Sequence, residues 1–198
     1  MKNIVYIKGY EAPEINKNEV LRYAGVKDPD GETLSLLDRC VKEVEGVLTY
    51  KVCYSRFPIT INGDGLDLGF TKTTSHSLAL CLRECDEIIV FCATVGVELD
   101  RIIRRYSLIS PSSAVMLQAL GSERVEALCD AFCTDMAMAL DRPLRPRFSP
   151  GYGDLPLDVQ RDVFACLDPV KIGVALGENL FMTPSKSVTA IIGIKKEF

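Results

Sequence analysis

Arg147-Phe148-Ser149-Pro150-Gly151-Tyr152 is the stretch on which the reading of this chain turns, within a longer segment from Asp141 to Gly193. Pro150 fixes its own φ and pushes Ser149 toward an extended conformation. Gly151 then permits a positive φ or a close backbone approach. A cation precedes the turn and an aromatic follows it, so Arg147 and Tyr152 are placed to face one small ligand. A guanidinium suits a carboxylate or phosphate because its fork binds two oxygens at once. Taken alone, the pattern is that of a Pro-Gly surface turn with a solvated arginine, and the surrounding chain has to decide.

Upstream, Ser110-Pro111 reads as an N-cap followed by proline at the first helical position. Apolar periodicity then runs to Leu140, about 45 Å of helix if unbroken, with Gly121 a candidate bend. Glu123, Glu126 and Asp130 give that helix an acidic stripe, and Arg142, Pro143 and Pro146 end it ahead of Arg147. Downstream, a helix is predicted over Leu157–Leu167 and strands near Leu180–Met182 and Val188–Ile194.

In the first half a strand is predicted over Ile4–Ile7 and a helix over Lys17–Ala24 that stops at Gly25. A stronger helix starts after Asp30, with Leu34, Leu37, Val41, Val44 and Leu48 spaced by threes and fours, and ends near Gly46. The segment from Val47 to Tyr54, continued by Phe57-Pro58-Ile59, reads as strand. Asn62-Gly63-Asp64-Gly65 reads as a hairpin turn into Leu66–Phe70. Those glycines are no phosphate loop, because no Gly-Lys-Ser/Thr follows. A helix over Thr74–Arg83, a buried strand Glu87–Cys92 and a helix Val95–Tyr106 complete the pattern, the last carrying Arg101, Arg104 and Arg105 on its polar side. Hairpins without regular βαβ alternation predict an α+β fold with a mainly antiparallel sheet.

The 198 residues suffice for one domain with a substantial core. A net charge of −4 argues against a nucleic-acid partner. The segment from Asp141 onward is nearly balanced, with 8 Lys+Arg against 7 Asp+Glu, so the acidic excess lies in the first 140 residues. That suits a carboxylate site in the second part. No 18-residue apolar run is present and the apolar part of the N-terminus is too short for a signal peptide. The expectation is therefore a cytoplasmic protein with no membrane span, whose eight cysteines stay reduced. Cys81/Cys85 and Cys129/Cys133 are four apart on predicted helices, a spacing able to hold a metal. With no Cys-x-x-Cys and only His76 as histidine, buried apolar thiols are the expected role, and no metal site is assigned.

Three blocks in order carry a family resemblance. They are Arg147-x-x-Pro150-Gly151-Tyr152, then Gly173-x-x-Leu176-x-Glu178, then Met182-x-Pro184-x-x-Ser187-Val188. In these the chain resembles the activation domain of cobalamin-dependent methionine synthase, the module that binds S-adenosylmethionine (SAM). The resemblance is strong from about Ser113 to Gly193; residues 1–110 form the divergent part and 111–198 carry the motifs of a single domain spanning 1–198. It implies a C-shaped domain with a curved antiparallel sheet flanked by helices. It also implies that Arg147 holds the methionine carboxylate, that Pro150, Gly151, Tyr152 and Glu178 belong to the ligand site, and that Glu126 and Asp141 are the family's acids near the ligand's positive charges.

The implied activity is to bind SAM and present it to a separate cobalamin-dependent methionine synthase lacking its own activation domain. There cob(II)alamin is reductively methylated, with a flavodoxin-like electron donor. The cobalamin belongs to the partner, since no Asp-x-His-x-x-Gly motif and no zinc-thiolate site for homocysteine are present in the chain. No catalytic residue is assigned, because binding and placement suffice. Partner docking is expected around the Arg147 turn, with Arg101, Arg104 and Arg105 as candidate contacts. Thr183 stands where the long enzymes have tryptophan, and the chain has no Trp. The alternative is therefore a non-enzymatic interaction subunit that docks on a corrinoid protein without using SAM.

Overall fold

The structure, a computed structural model, describes residues 4–62 and 65–196. Strand β1 (Tyr6–Tyr10) is followed by helices α1 (Lys17–Tyr23) and α2 (Gly31–Val44) and strand β2 (Tyr50–Pro58). Three short strands come next, β3 (Thr60–Asn62), β4 (Gly65–Asp67) and β5 (Lys72–Thr73). Helix α3 (His76–Cys81), strand β6 (Cys85–Thr94) and helices α4 (Glu98–Ile109) and α5 (Pro111–Leu140) form the middle of the chain. Helix α6 (Val159–Leu167), a turn of 3-10 helix at Pro169–Ile172, and strands β7 (Ala175–Leu176), β8 (Met182–Thr183) and β9 (Ser187–Lys195) close it.

The main sheet has the order β1-β2-β6-β9, and every neighbouring pair is antiparallel. Smaller antiparallel sheets join β3-β4-β5 and β7-β8. This is the α+β architecture, an antiparallel sheet flanked by helices, that the sequence predicts. Successive residues of β6 supply both cores. Ile89, Phe91 and Ala93 pack with Val20, Leu37, Leu99, Leu117 and Phe132, from α1, α2, α4 and α5. Ile88, Val90 and Cys92 pack on the opposite face with Leu78, Val163 and Leu167, from α3 and α6. Burial on both faces explains why this strand reads as a continuous apolar run, although its sheet is antiparallel. Each such Leu, Ile or Phe contributes roughly 1.5–3 kcal/mol through burial.

Several boundaries differ from the sequence reading, each for a local reason. β1 begins at Tyr6 and runs on to Tyr10, because it pairs with β2 through Tyr10↔Tyr50. α4 starts at Glu98, not Val95, because the backbone of Val95 is still held at the sheet end: its N–H donates to Lys186 O at 3.2 Å and its carbonyl accepts from Thr49 N at 3.1 Å. Gly96 follows with φ +88°, and a Cβ there would stand 2.5 Å from Thr49 Oγ1, so close packing sets this glycine. Cys85 opens β6, so Cys81 and Cys85 do not share a helix. Leu34 faces solvent, while Leu37, Cys40 and Val44 form the buried stripe of α2. β3 and β4 form the expected hairpin, with Asn62 opposite Gly65; Gly63 and Asp64 of the predicted turn lie outside the described residues. Among the described residues no helix is long and apolar enough to cross a membrane.

Candidate functional site

Two elements place Arg147. The first is α5, which runs unbroken for 30 residues. Pro111 starts it, but Ser110 does not cap it; the Ser110 hydroxyl lies 2.8 Å from that of Ser113. Gly121 does not interrupt the helix. A Cβ at that position would meet Leu99 Cδ2 at 2.4 Å and Lys186 Cγ at 3.0 Å, so the glycine allows α4 and the Lys186 segment to approach. Asp141 ends the helix in a left-handed conformation, φ +50°, which Asp tolerates better than most residues.

The second element is the chain beyond that break, which runs antiparallel along the outer edge of β9. Arg145 N donates to Gly193 O at 2.8 Å, and Phe148 and Ile191 exchange backbone hydrogen bonds of 2.9 and 2.8 Å. Arg147 is thus carried on a strip pinned to the sheet, immediately before the turn. The turn closes on itself: Tyr152 N donates to Ser149 O, Gly151 N to Leu155 O and Leu155 N to Tyr152 O, at 3.0–3.1 Å. Pro150 is buried, Gly151 has φ +88° and Gly153 φ +54°, and Tyr152 is exposed.

Asp154 ties the turn to the start of α3. Its carboxylate accepts from Ser75 Oγ at 2.5 Å, His76 N at 2.7 Å and Ser77 N at 3.1 Å. The Ser75 hydroxyl and these backbone donors hold its pKa well below the ordinary carboxylate range. Sequence reading passes over Asp154, because a carboxylate that caps another helix about 78 residues away leaves no local signal.

Arg147 reaches back to α5. Its Nη2 donates to Glu126 Oε2 at 2.7 Å and its Nη1 to Asp130 Oδ1 at 2.5 Å, with Cys133 Sγ at 3.8 Å. The Arg147 side chain is 24% exposed, against 41% for Glu126 and 73% for Asp130. Burial is the largest influence on Arg147 and opposes its charge, but the hydrogen bond to Asp130 together with the contacts to Cys129 and Cys133 outweighs it and holds the guanidinium's pKa above its usual value. Beneath it the thiols of Cys129 and Cys133 are pushed up by burial, which disfavours the thiolate.

The structure therefore brings together Arg147 and Glu126, and adds Asp130, which the sequence marks only as part of an acidic stripe. The spacing Glu126/Asp130, i and i+4, is the signal that both share one helix face. Asp141 is exposed at the helix end and has no hydrogen bond or ion pair with Arg147 among the described residues. Glu178 is exposed in the turn joining β7 and β8; its backbone carbonyl accepts from Arg161 Nη2 at 3.1 Å. Gln160 braces the same turn, donating to Leu180 O at 3.1 Å while its own carbonyl accepts from Thr189 Oγ1 at 3.3 Å. In the third sequence block the Thr183–Pro184 peptide is cis, and Ser187 Oγ donates to Pro184 O at 2.8 Å. Of the α4 arginines, Arg101 pairs with Glu98 and Arg105 with Glu43.

A cavity of about 580 Å³ lies elsewhere, lined by Tyr10, Pro13, Val41, Val44, Tyr50 and Arg124 among others. None of the predicted site residues borders it, and its buried cation is already committed. Arg124 donates to Glu123 through Nε and Nη2, at 2.5 and 2.6 Å, and to the carbonyls of Pro13 and Glu14. Arg147, by contrast, is paired with side chains that are partly exposed. No cluster of His, Cys, Asp and Glu suited to a metal is found among the described residues.

These features define an α+β protein with an arginine–dicarboxylate centre between a long helix and a rigid turn at the sheet edge. No protein-family model matches the sequence, and no curated protein matches it. Among solved structures the chain is similar to the MetH reactivation domain bound to AdoHcy, with a TM-score of 0.70 and 14% identity over 100% of this chain and 81% of that one. At that identity the likeness shows a shared fold.

Proposed function

We propose that the chain binds S-adenosylmethionine and presents it to a separate cobalamin-dependent methionine synthase for reductive methylation of cob(II)alamin. The observation that carries this reading is Arg147, anchored on a pinned strip and turn and facing Glu126, in a fold shared with a reactivation domain solved with AdoHcy. Arg147 takes the methionine carboxylate and Glu126 attracts the ammonium or sulfonium. Tyr152, exposed at the tip of the turn, packs against the ligand, and Pro150 and Gly151 set the turn's shape. Asp141 and Glu178 are proposed as acidic positions of the site from the family resemblance alone. The protein's part is binding and placement, and the cobalt chemistry belongs to the partner.

A second reading has its own observation. Both terminal nitrogens of Arg147 are already engaged by Glu126 and Asp130, so the centre is self-satisfied without any ligand. That fits an interaction subunit that docks on a corrinoid protein without using SAM.

Calorimetric titration of SAM separates the two. Arg147→Ala should weaken binding by about 2–4 kcal/mol, the worth of a charge-assisted bidentate contact. Arg147→Lys should restore little, because an ammonium lacks the fork. Circular dichroism should show both variants folded. Undetectable binding by the wild type in the presence of the cobalamin partner selects the docking reading; equal binding by wild type and Arg147→Ala removes Arg147 from the site.

A further inference from the structure

The centre around Arg147 holds three formal charges, one positive and two negative. Glu126 and Asp130 sit one helical turn apart on α5, an arrangement in which like charges repel. The guanidinium between them relieves that repulsion, with one terminal nitrogen given to each acid. An incoming carboxylate that uses the fork in the usual bidentate way needs two neighbouring nitrogens, so at least one of the two acids must give way. Asp130 makes the shorter bond, 2.5 Å against 2.7 Å, but it is the acid more open to water. It is 73% exposed against 41% for Glu126, so releasing it into water costs little reorganisation.

We infer that Asp130 is an internal stand-in for the ligand carboxylate, occupying Arg147 in the unliganded chain and displaced on binding. This rests on the proposal that Arg147 receives a carboxylate-bearing ligand. The displacement has a chemical consequence for what can bind. Once a ligand carboxylate takes Arg147, Glu126 and Asp130 lose their shared counter-charge and confront each other across one turn. A ligand that brings an ammonium beside its carboxylate restores the balance; a plain acid does not. The centre therefore selects the zwitterionic end of an α-amino acid over a simple carboxylate, and Asp130 sets the threshold for entry.

The test uses Asp130→Asn in the full chain, with two independent readouts. In the first, SAM and decarboxylated SAM, which keeps the sulfonium and the amine, are titrated into wild type and variant. The affinity ratio of SAM to the decarboxylated compound should rise roughly two- to five-fold in Asp130→Asn, the range for release from one exposed ion pair. Using the ratio cancels the loss of general attraction for cations. An unchanged or lower ratio overturns the inference and makes Asp130 a partner of the ammonium. The second readout needs no ligand. Phenylglyoxal modification of Arg147, followed by peptide mass spectrometry, should be faster in Asp130→Asn than in wild type, while modification of Arg161 stays the same. Equal rates at Arg147 also overturn the inference. Failure of SAM to bind either protein, with Arg147 nonetheless more reactive in the variant, removes SAM as the ligand and leaves the self-occupied arginine established.

Discussion

Helix α5 contributes to two arginine–carboxylate centres, and their chemistry is the same while their surroundings are not. Arg124 and Glu123, adjacent on the helix, are 1% and 5% exposed. Glu123 also accepts from Asn16 N at 3.0 Å, so this pair staples the segment between β1 and α1 to the long helix. Arg147 with Glu126 and Asp130 is partly open, and its partners are side chains able to turn away into water. A buried pair whose remaining donors reach backbone carbonyls cannot exchange partners without unfolding something. A half-exposed pair can. Burial and partner type, more than charge, separate the locked centre from the half-open one.

The strongest way to break this contrast is to remove one acid from each centre. Glu123→Ala leaves Arg124 buried without its counter-charge and should cost about 3–5 kcal/mol, read as a large fall in the urea midpoint. Glu126→Ala, at the half-open centre, should change stability by less than about 1 kcal/mol. Equal losses would mean that both centres are structural.

A smaller effect is expected at the turn. Gly153 has φ +54°, and a Cβ there would stand 2.8 Å from Ser77 Oγ. Gly153→Ala should therefore cost about 1–3 kcal/mol and weaken the SAM binding proposed above as well, since the strip carrying Arg147 enters this turn. Loss of stability with full binding would show that the turn does not position the site.

The smallest effect concerns acid. The folded-state pKa of Asp154 lies below its unfolded value, so its contribution is present above the ordinary carboxylate range and lost as pH falls through the folded value. Asp154→Asn should flatten the fall of Tm with pH below about pH 4, with little change at pH 7 in that slope. An unaltered acid profile would assign the pH dependence to other carboxylates, such as Asp135, held low by Lys8 and Tyr10.

What the sequence discloses follows from the range of each signal. Pro111, the apolar spacing to Leu140 and the Pro150-Gly151 turn act through their immediate neighbours, and all appear where expected. The buried run in β6 is equally local, with its ends set by pairing to β2 and β9. Partners across the fold are not local. Arg147 meets Glu126 and Asp130, 21 and 17 residues upstream, only because the helix break folds the chain back along β9. Helical spacing shows that Glu126 and Asp130 share a face, but not that the cation lies over it. The bonds that Asp154 makes to the start of α3, and Gln160 of α6 to the β7–β8 turn, are out of reach for the same reason.

The free cysteines, distributed through both layers, also make the protein its own opening gauge. Cys40 and Cys129 lie in the core under α2 and α5, while Cys53 and Cys92 lie in the core on the opposite face of the sheet. All four are buried, and burial pushes Cys40 and Cys129 upward, as it does Cys166, to about 12. A thiol reacts as its thiolate and only where reagent can reach it. The alkylation rate of each cysteine, resolved peptide by peptide, then times the separation of helices from either side of the sheet without any introduced label.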